Sequence, residues 1–277
     1  MIKKKEKNEE IIRANIAYHS ALAETYNKEQ PYFKQENVER IDALLKSLAL
    51  EFGNNSLIDL GCGTGFIINI AKKYFKQVVG VDITQEMLDR IDKSGGNIKL
   101  YRSDTANIPL KSGCSDICTA YTFLHHLGEL KPTFIEAHRL LRKGGIFYAD
   151  LEPNYYYWEM IRNIKKCKIG NEIITREIQF VLDKVGEISK QFNINKKTIM
   201  LAEYQKMIKG GFKEEEITQL LHEVGFSSVD FRYEWYLGQA YYLHNEPENG
   251  FIIENYLKKF LPATRHLFKY ISFIAKK

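Results

Sequence analysis

The sequence predicts an α/β protein built on a doubly wound, mostly parallel sheet with helices on both faces, and three stretches carry that expectation. Leu57-Ile58-Asp59-Leu60 is a short apolar run entering the turn Gly61-Cys62-Gly63-Thr64-Gly65, with glycines at two-residue spacing. Val78-Val79-Gly80-Val81-Asp82 is a second continuous apolar run, ending in a carboxylate. Ile146-Phe147-Tyr148-Ala149-Asp150-Leu151 is a third, and helical patterns separate them. Apolar runs without alternation, spaced by helices and bounded by turns, are the mark of parallel strands covered on both faces.

In chain order, residues 1–10 mix Lys and Glu and are expected to fray. Ile12, Ile16, Ala17, Leu22 and Ala23 then recur at loosely helical spacing, and after Pro31 the positions Val38, Ile41, Leu44, Leu45 and Leu48 form an amphipathic helix leading into strand one. Residues 1–50 are thus an N-terminal helical cap segment. The glycine turn and the helix after it, residues 67–74, have a physical logic. Without Cβ atoms the turn accepts positive φ and lets a ligand lie on the backbone, while the helix N-terminus offers amides to an anion. Asp59, two residues before the first glycine, makes pyrophosphate a poor guest. A ligand with an ammonium beside that carboxylate, and its own carboxylate over the turn, suits the site. Asp82 lies 21 residues after Gly61, where an acidic residue can accept both hydroxyls of a ribose.

Ile98–Asp104 reads as strand three, followed by Thr105-Ala106-Asn107-Ile108-Pro109, and Asp116–Tyr121 as strand four, followed by Thr122–Leu127. Pro132–Leu141 is a helix expected to stop at the basic, glycine-capped Arg142-Lys143-Gly144-Gly145 before strand five. Lys213–Gly225 is an acid-capped amphipathic helix and Ser227–Leu237 a strand. The core therefore spans 51–152 and 213–240. Between its halves, residues 153–212 form an insertion opened by Tyr155-Tyr156-Tyr157-Trp158, with a helix expected over Ile173–Phe192. An insertion of this length at the carboxyl edge is expected to act as a helical lid over the acceptor pocket.

The residues Asp59-Leu60-Gly61-Cys62-Gly63-Thr64-Gly65 resemble the first motif of class I S-adenosylmethionine-dependent methyltransferases. Asp104-Thr105-Ala106 and Leu140-Leu141-Arg142-Lys143-Gly144-Gly145 match the same family, so the resemblance covers roughly residues 56–152 and the closing helix and strand. It implies a Rossmann-like, seven-stranded sheet, S-adenosylmethionine as cofactor and S-adenosylhomocysteine as product. It implies that Asp59, Gly61, Cys62, Gly63 and Gly65 hold the amino-acid end, that Asp82 holds the ribose with Ile83 and Met87 beside it, that Asp104, Thr105 and Ala106 meet the adenine, and that Tyr121 passes under the sulfonium. A helical segment with a Tyr before the core closes over the cofactor in small-molecule members, which makes Tyr26, Tyr18 and His19 candidates for that role or for ordinary packing.

A sulfonium methyl is already electrophilic, so orientation can suffice and no dedicated catalytic residue need exist. Where the acceptor is a hydroxyl or acidic carbon, a base helps. His125 and His126 follow strand four, and about 100° separates neighbours on a helix, so one faces the cavity; His125 is the expected base. Tyr26, His126, Glu152, Asn154 and Tyr157 are the expected substrate contacts, and the many aromatics suit a planar or partly apolar small molecule or simple packing. No His or Cys spacing points to a metal. The reaction expected is methylation of oxygen or carbon of a small molecule, with a lipid-linked or macromolecular acceptor, or cofactor binding without turnover, as alternatives. Thr122-Phe123-Leu124-His125 departs from the Asn/Asp-Pro-Pro-Tyr/Phe segment of DNA amino-methyltransferases, which argues against nucleic acid.

Composition agrees. The net charge is +5 over 277 residues, and six basic residues with no acidic ones fall in Asn255–Lys277, leaving the rest near neutral. In this tail, residues 241–277, Leu267, Phe268, Ile271, Ile274 and Ala275 share a face in helical projection. A basic amphipathic helix is expected, lying on a membrane surface or docked on the core or a second subunit. The four cysteines form no CxxC pair, and no run of 18 apolar residues occurs, so a reducing, cytoplasmic setting and a monomer or homodimer are expected.

Overall fold

A computed structural model describes residues 2–94, 96–167, 170–179 and 184–277. Seven strands form one sheet: β1 (Ser56–Leu60), β2 (Gln77–Asp82), β3 (Ile98–Arg102), β4 (Ser115–Tyr121), β5 (Leu141–Pro153), β6 (Ser228–Tyr236) and β7 (Phe268–Lys276). Their order is β3-β2-β1-β4-β5-β7-β6; β1 to β5 run parallel, and β7 is antiparallel to both its neighbours. The wholly buried β1 and β4 lie at the centre, as their unbroken apolar runs require. The strand order reverses between them, and in such sheets the ligand cleft opens at the carboxyl ends of that pair.

Thirteen helices surround the sheet: α1 (Ile2–Leu22), α2 (Tyr26–Glu29), α3 (Gln35–Phe52), α4 (Phe66–Ala71), α5 (Gln85–Leu88), α6 (Lys131–Leu140), α7 (Tyr155–Cys167), α8 (Glu172–Ile178), α9 (Lys184–Gln191), α10 (Lys196–Ala202), α11 (Glu214–Val224), α12 (Gln239–Asn245) and α13 (Pro247–Lys259), counted among the described residues. On one face Leu45 and Leu48 of α3 and Ile67 and Ile68 of α4 cover the sheet; on the other, Phe134 of α6 and Leu221 of α11 do so. There Phe147 stacks edge-on to Phe134 and Phe273, each about 5.8 Å away, an aromatic knot that pins β5 to β7.

Four expectations change. The tail is not an amphipathic helix: Phe268–Lys276 is β7, inserted between β5 and β6. Its Phe, Tyr and Ile residues favour the pleated sheet, and Phe268, Ile271, Phe273 and Ala275 are buried there. With the helix goes the feature that suggested a membrane-lying or docking tail. Residues 2–10 do not fray but open α1, which packs along α10 of the insertion. The helix before strand five ends without a glycine cap, at Leu141, which already pairs with Ser115; Arg142 reaches the Asp116 carboxylate and the Phe52 carbonyl and so ties the strand start to its neighbours. The helix expected over Ile173–Phe192 is represented by α8 and α9, and residues 180–183 lie outside the described part.

Candidate active site

The glycine turn is shaped by backbone hydrogen bonds and one carboxylate. The Cys62 amide donates to Val81 of β2, and the Gly65 amide donates back to Cys62. Gly61, Gly63 and Gly65 all have positive φ, at 67°, 51° and 88°. At Gly61 a Cβ would overlap the Phe123 ring, whereas at Gly63 it would meet open space, the space a ligand lying on the backbone needs. Asp82, at the end of β2, accepts from the Gly63 amide (2.9 Å) and the Thr84 amide (2.8 Å), so it both shapes the turn and stands at the cavity wall. Asp59 is 2% exposed and accepts one hydroxyl bond, from Thr119 at 2.7 Å. Burial, with the nearby Asp82 charge adding to it, pushes its carboxyl up to about 7. A carboxylate placed so is uncompensated, and a ligand ammonium is the partner it lacks.

A cavity of about 670 Å³ opens over this turn. Asp59, Gly61, Cys62, Gly63, Asp82, Ile83, Met87, Asp104, Thr105, Ala106 and Tyr121 all line it, so residues far apart in sequence meet around one space. Gly65 lies just behind, against Ile91. Asp104 accepts from the Ala106 amide at 2.9 Å, which turns the chain after β3. Tyr121 is held by Asn37, which donates to its hydroxyl at 2.7 Å, and by the Phe66 ring 4.9 Å away. The roof is α1: Asn15 donates to the His126 carbonyl at 2.9 Å, and His19 lines the cavity. Thr64 in the turn donates to Asn27, at the start of the chain's second helix. The cavity's size, its open backbone at Gly63 and the charge demand of Asp59 fit S-adenosylmethionine.

A second chamber of about 90 Å³ adjoins the first. His19, Tyr26, Tyr32, Thr122 and His126 face both, and His125, Glu203, Trp235 and Tyr270 close the far side. Thr122, Leu151 and Trp235 line it with φ of 47°, 53° and 60°, and only one other described non-glycine residue, Asn193, has positive φ. Strained backbone gathered around one small space is a signature of a functional site.

The histidines follow β4 on a tight 3₁₀ turn, Leu124–His126, with ring centres 4.1 Å apart. Glu152 anchors this turn: it accepts the amides of Phe123 (2.9 Å), Leu124 (2.7 Å) and His125 (3.1 Å), and His125 Nδ1 at 2.9 Å. With Nδ1–H directed at a carboxylate, Nε2 of His125 carries the lone pair and lies 3.8 Å from Glu203. His126 donates Nδ1–H to the Ala202 carbonyl at 2.7 Å. Burial, then the charges of His125 and His19, hold its imidazole well below its usual value. Burial pushes Glu203 upward, yet Lys206 at 2.8 Å and the imidazoles hold it far below the usual carboxylate range.

The expected substrate contacts divide. Tyr26 and His126 line both chambers. Glu152 and Asn154 are fully buried with their polar atoms already spent, Glu152 on three amides and the His125 ring, Asn154 bridging the Arg265 and Phe268 carbonyls and the Tyr156 amide. Tyr157 is buried away from both chambers, its hydroxyl donating to Glu177 at 2.8 Å. His125 faces the second chamber and not the larger cavity; the tight turn sends its neighbour His126 there instead. The residues missed in sequence are Glu203, Lys206, Trp235 and Tyr270, which carry no motif. His125, His126 and Glu203 bring donor atoms within 4.8 Å of one another, a proximity that spacing hid, but the Lys206 ammonium already supplies the positive charge a metal ion would bring.

Residues 58–149 match the family model described as Methyltransferase domain. The chain is 21% identical over 220 residues to a protein of Mycolicibacterium smegmatis named "Probable S-adenosylmethionine-dependent methyltransferase", covering 78% of this chain and 76% of the relative. It is 24% identical over 229 residues to a ubiquinone/menaquinone biosynthesis C-methyltransferase of Campylobacter jejuni, covering 78% and 91%. Among solved structures, a Haemonchus contortus "Phospholethanolamine N-methyltransferase 2", in complex with phosphomonomethylethanolamine and S-adenosylhomocysteine, shares the fold with a TM-score of 0.56 at 14% identity, covering 98% of this chain and 59% of that one. With the strand order, the glycine turn and the three strand-end carboxylates in place, these likenesses support a class I S-adenosylmethionine-dependent methyltransferase.

Proposed function

We propose that the enzyme methylates an oxygen or an acidic carbon of a small-molecule acceptor held in the second chamber, with His125 as the base. The observation that carries this reading is the Glu152–His125 pair. Three backbone amides and Nδ1–H converge on one buried carboxylate, which fixes the ring and its tautomer and leaves Nε2 turned toward the chamber. S-adenosylmethionine, when bound, supplies a methyl group on a positively charged sulfur. Asp82 orients the ribose, Asp104, Thr105 and Ala106 border the adenine, and Asp59 with the glycine turn holds the amino-acid end. Tyr26, Tyr32 and α1 cover the junction of the two spaces and exclude water. His125 Nε2 takes the acceptor's proton, and Glu203 beside it stabilises the imidazolium that results. An N-methylation of a neutral amine would not call for so rigid a base. The C-methyltransferase relative is consistent with carbon as the target.

Incubating the purified protein with methyl-labelled S-adenosylmethionine and a small-metabolite extract tests the reading. A labelled product below about 1 kDa, in the size range of ligands that pocket-sized sites enclose, bearing its methyl on oxygen or carbon, is expected. Label found only in protein or nucleic acid, or on nitrogen, would refute it.

A further inference from the structure

Helix α13 has two unlike faces. On the inner one, Ile253 and Leu257 pack against the core, and Gly250 is buried with its carbonyl accepting from the Tyr236 hydroxyl at 3.0 Å. Lys258 adds ion pairs to Glu254 at 2.7 Å and to Glu234 of β6 at 3.8 Å, so the helix is firmly docked. The outer face carries Phe251, Ile252, Tyr256 and Phe260, each more than half exposed. With Tyr241 and Leu243 of α12 they make six of the ten exposed large apolar side chains among the described residues, all within one helical hairpin. Scattered apolar residues on a surface need no explanation, but a cluster on one element marks a place where something binds.

The charges on that face say what the partner is. Glu248 in the first turn and Lys259 in the last are both exposed, and neither has an ion-pair partner among the described residues. They stand eleven residues apart, which on a helix is about 16 Å of rise and only about 20° of rotation, so both project from the middle of the apolar face. A face with an acid at one end and a base at the other is complementary to itself turned end for end. Two such helices packed antiparallel about a two-fold axis set Glu248 of each copy against Lys259 of the other, with Phe251, Ile252 and Tyr256 meeting their counterparts around the axis. A two-fold contact uses one patch twice, and this self-complementarity is what it requires. The antiparallel helix dipoles favour the same arrangement. An anionic lipid surface is a poorer match, because Glu246 and Glu248 stand at one end of the helix and Lys258 is already neutralised by Glu254.

We propose that the outer face of α13 is the two-fold interface of a homodimer, packed antiparallel on the same face of a second copy, with two Glu248–Lys259 pairs fixing the register. The contact is independent of what the cleft methylates. Its apolar side chains supply the affinity, and the charge pairs supply the orientation. Standard interfaces bury about 800 Å² per partner; one helix face offers less, so the dimer is reversible and depends on concentration.

Sedimentation velocity of the full chain tests this. At about 100 µM, a concentration that saturates a micromolar Kd, the unaltered protein is expected to sediment as a dimer and to dissociate on dilution. Tyr256→Glu sets two like charges close to the axis and is expected to weaken association about 100-fold or more. Glu248→Lys and Lys259→Glu each place like charges opposite one another, and each is expected to weaken it about tenfold. The double exchange of Glu248→Lys with Lys259→Glu restores opposite charges at both ends and is expected to return the dimer to within about threefold of the unaltered protein, the non-additivity of a direct pair. All three positions are exposed, so an unchanged melting temperature at low concentration serves as the control for folding. A monomer at the highest concentration, a dimer indifferent to Tyr256→Glu, or charge variants that the double exchange does not rescue would overturn the inference. A monomer that sediments with phosphatidylglycerol vesicles would overturn it in favour of a lipid surface.

Discussion

The proposed cofactor side of the cleft is made by the carboxyl ends of β1 to β4 and the turns that leave them, whereas the proposed acceptor side is assembled from α1, residues 26–32, the turn after β4, residues 203–206 and the ends of β6 and β7. The first is mostly backbone. Its glycines, amides and short carboxylates are set by local hydrogen bonds such as those from Gly63 and Thr84 to Asp82. The second is mostly long, titratable side chains held in place by tertiary packing and accompanied by positive φ at Thr122, Leu151 and Trp235. A cradle made of backbone depends little on side-chain identity, while a chamber made of side chains can be rebuilt by substitution without disturbing it. The two sides should therefore fail separately.

His125→Gln is the sharpest way to break them apart. It removes the proposed base from a turn that Glu152 still anchors through three amides. Turnover is expected to fall about 10²–10⁴-fold, as for loss of a general base, with S-adenosylhomocysteine affinity measured by calorimetry unchanged. Equal losses in both quantities would mean that the chambers are not separable.

Asp82→Ala is the converse test and should have the next largest effect. Both backbone bonds that shape the glycine turn disappear together with the proposed ribose contact. Cofactor affinity is expected to fall about 100-fold or more, the loss of two bonds to a charged acceptor, with turnover at saturating cofactor nearly retained.

The smallest effect sharpens the comparison from the side of proton bookkeeping. Asp59 titrates near 7 in the free protein because it is buried. Its folded value lies above its unfolded one, so its contribution to stability is present at low pH and is lost as pH rises from about 4 to about 7. An ammonium beside it reverses the shift, so cofactor binding at pH 7 should release about half a proton, the fraction still bound near its midpoint. Calorimetry in buffers of different ionisation enthalpy reads this directly. The release should vanish in Asp59→Asn; its persistence there would assign the proton to another group.

Sequence made the cofactor side legible because each of its parts is local: a strand, a glycine turn and an acidic residue a few positions either way. The acceptor side is not local. Glu203 and Lys206 belong to the insertion, which has no repeating pattern, and Glu203 reaches His125 where residues 204–208 pack against the Leu124–His126 turn. Glu152 looked like a ligand for substrate because it is a carboxylate just past the point where the strand was expected to end. The strand runs on to Pro153, and the acid is consumed by amides of the neighbouring turn. The tail misled for a related reason. Phe268-Lys269-Tyr270-Ile271-Ser272-Phe273-Ile274-Ala275 satisfies a helical stripe on paper, and only its partners on both sides decide for a strand.

The placement of that strand bears on biosynthesis. β6 pairs with no strand other than β7, and β7 follows it in the chain only after α12 and α13 have been made. Until β7 emerges from the ribosome, β5 presents a raw apolar edge, and β6 has nowhere to go. Unpaired edges of this kind invite association between chains. Expression yield should thus depend on how quickly one late segment is captured, and shortening the gene before the codon for Phe268 would leave β6 without a sheet and β5 with a bare edge.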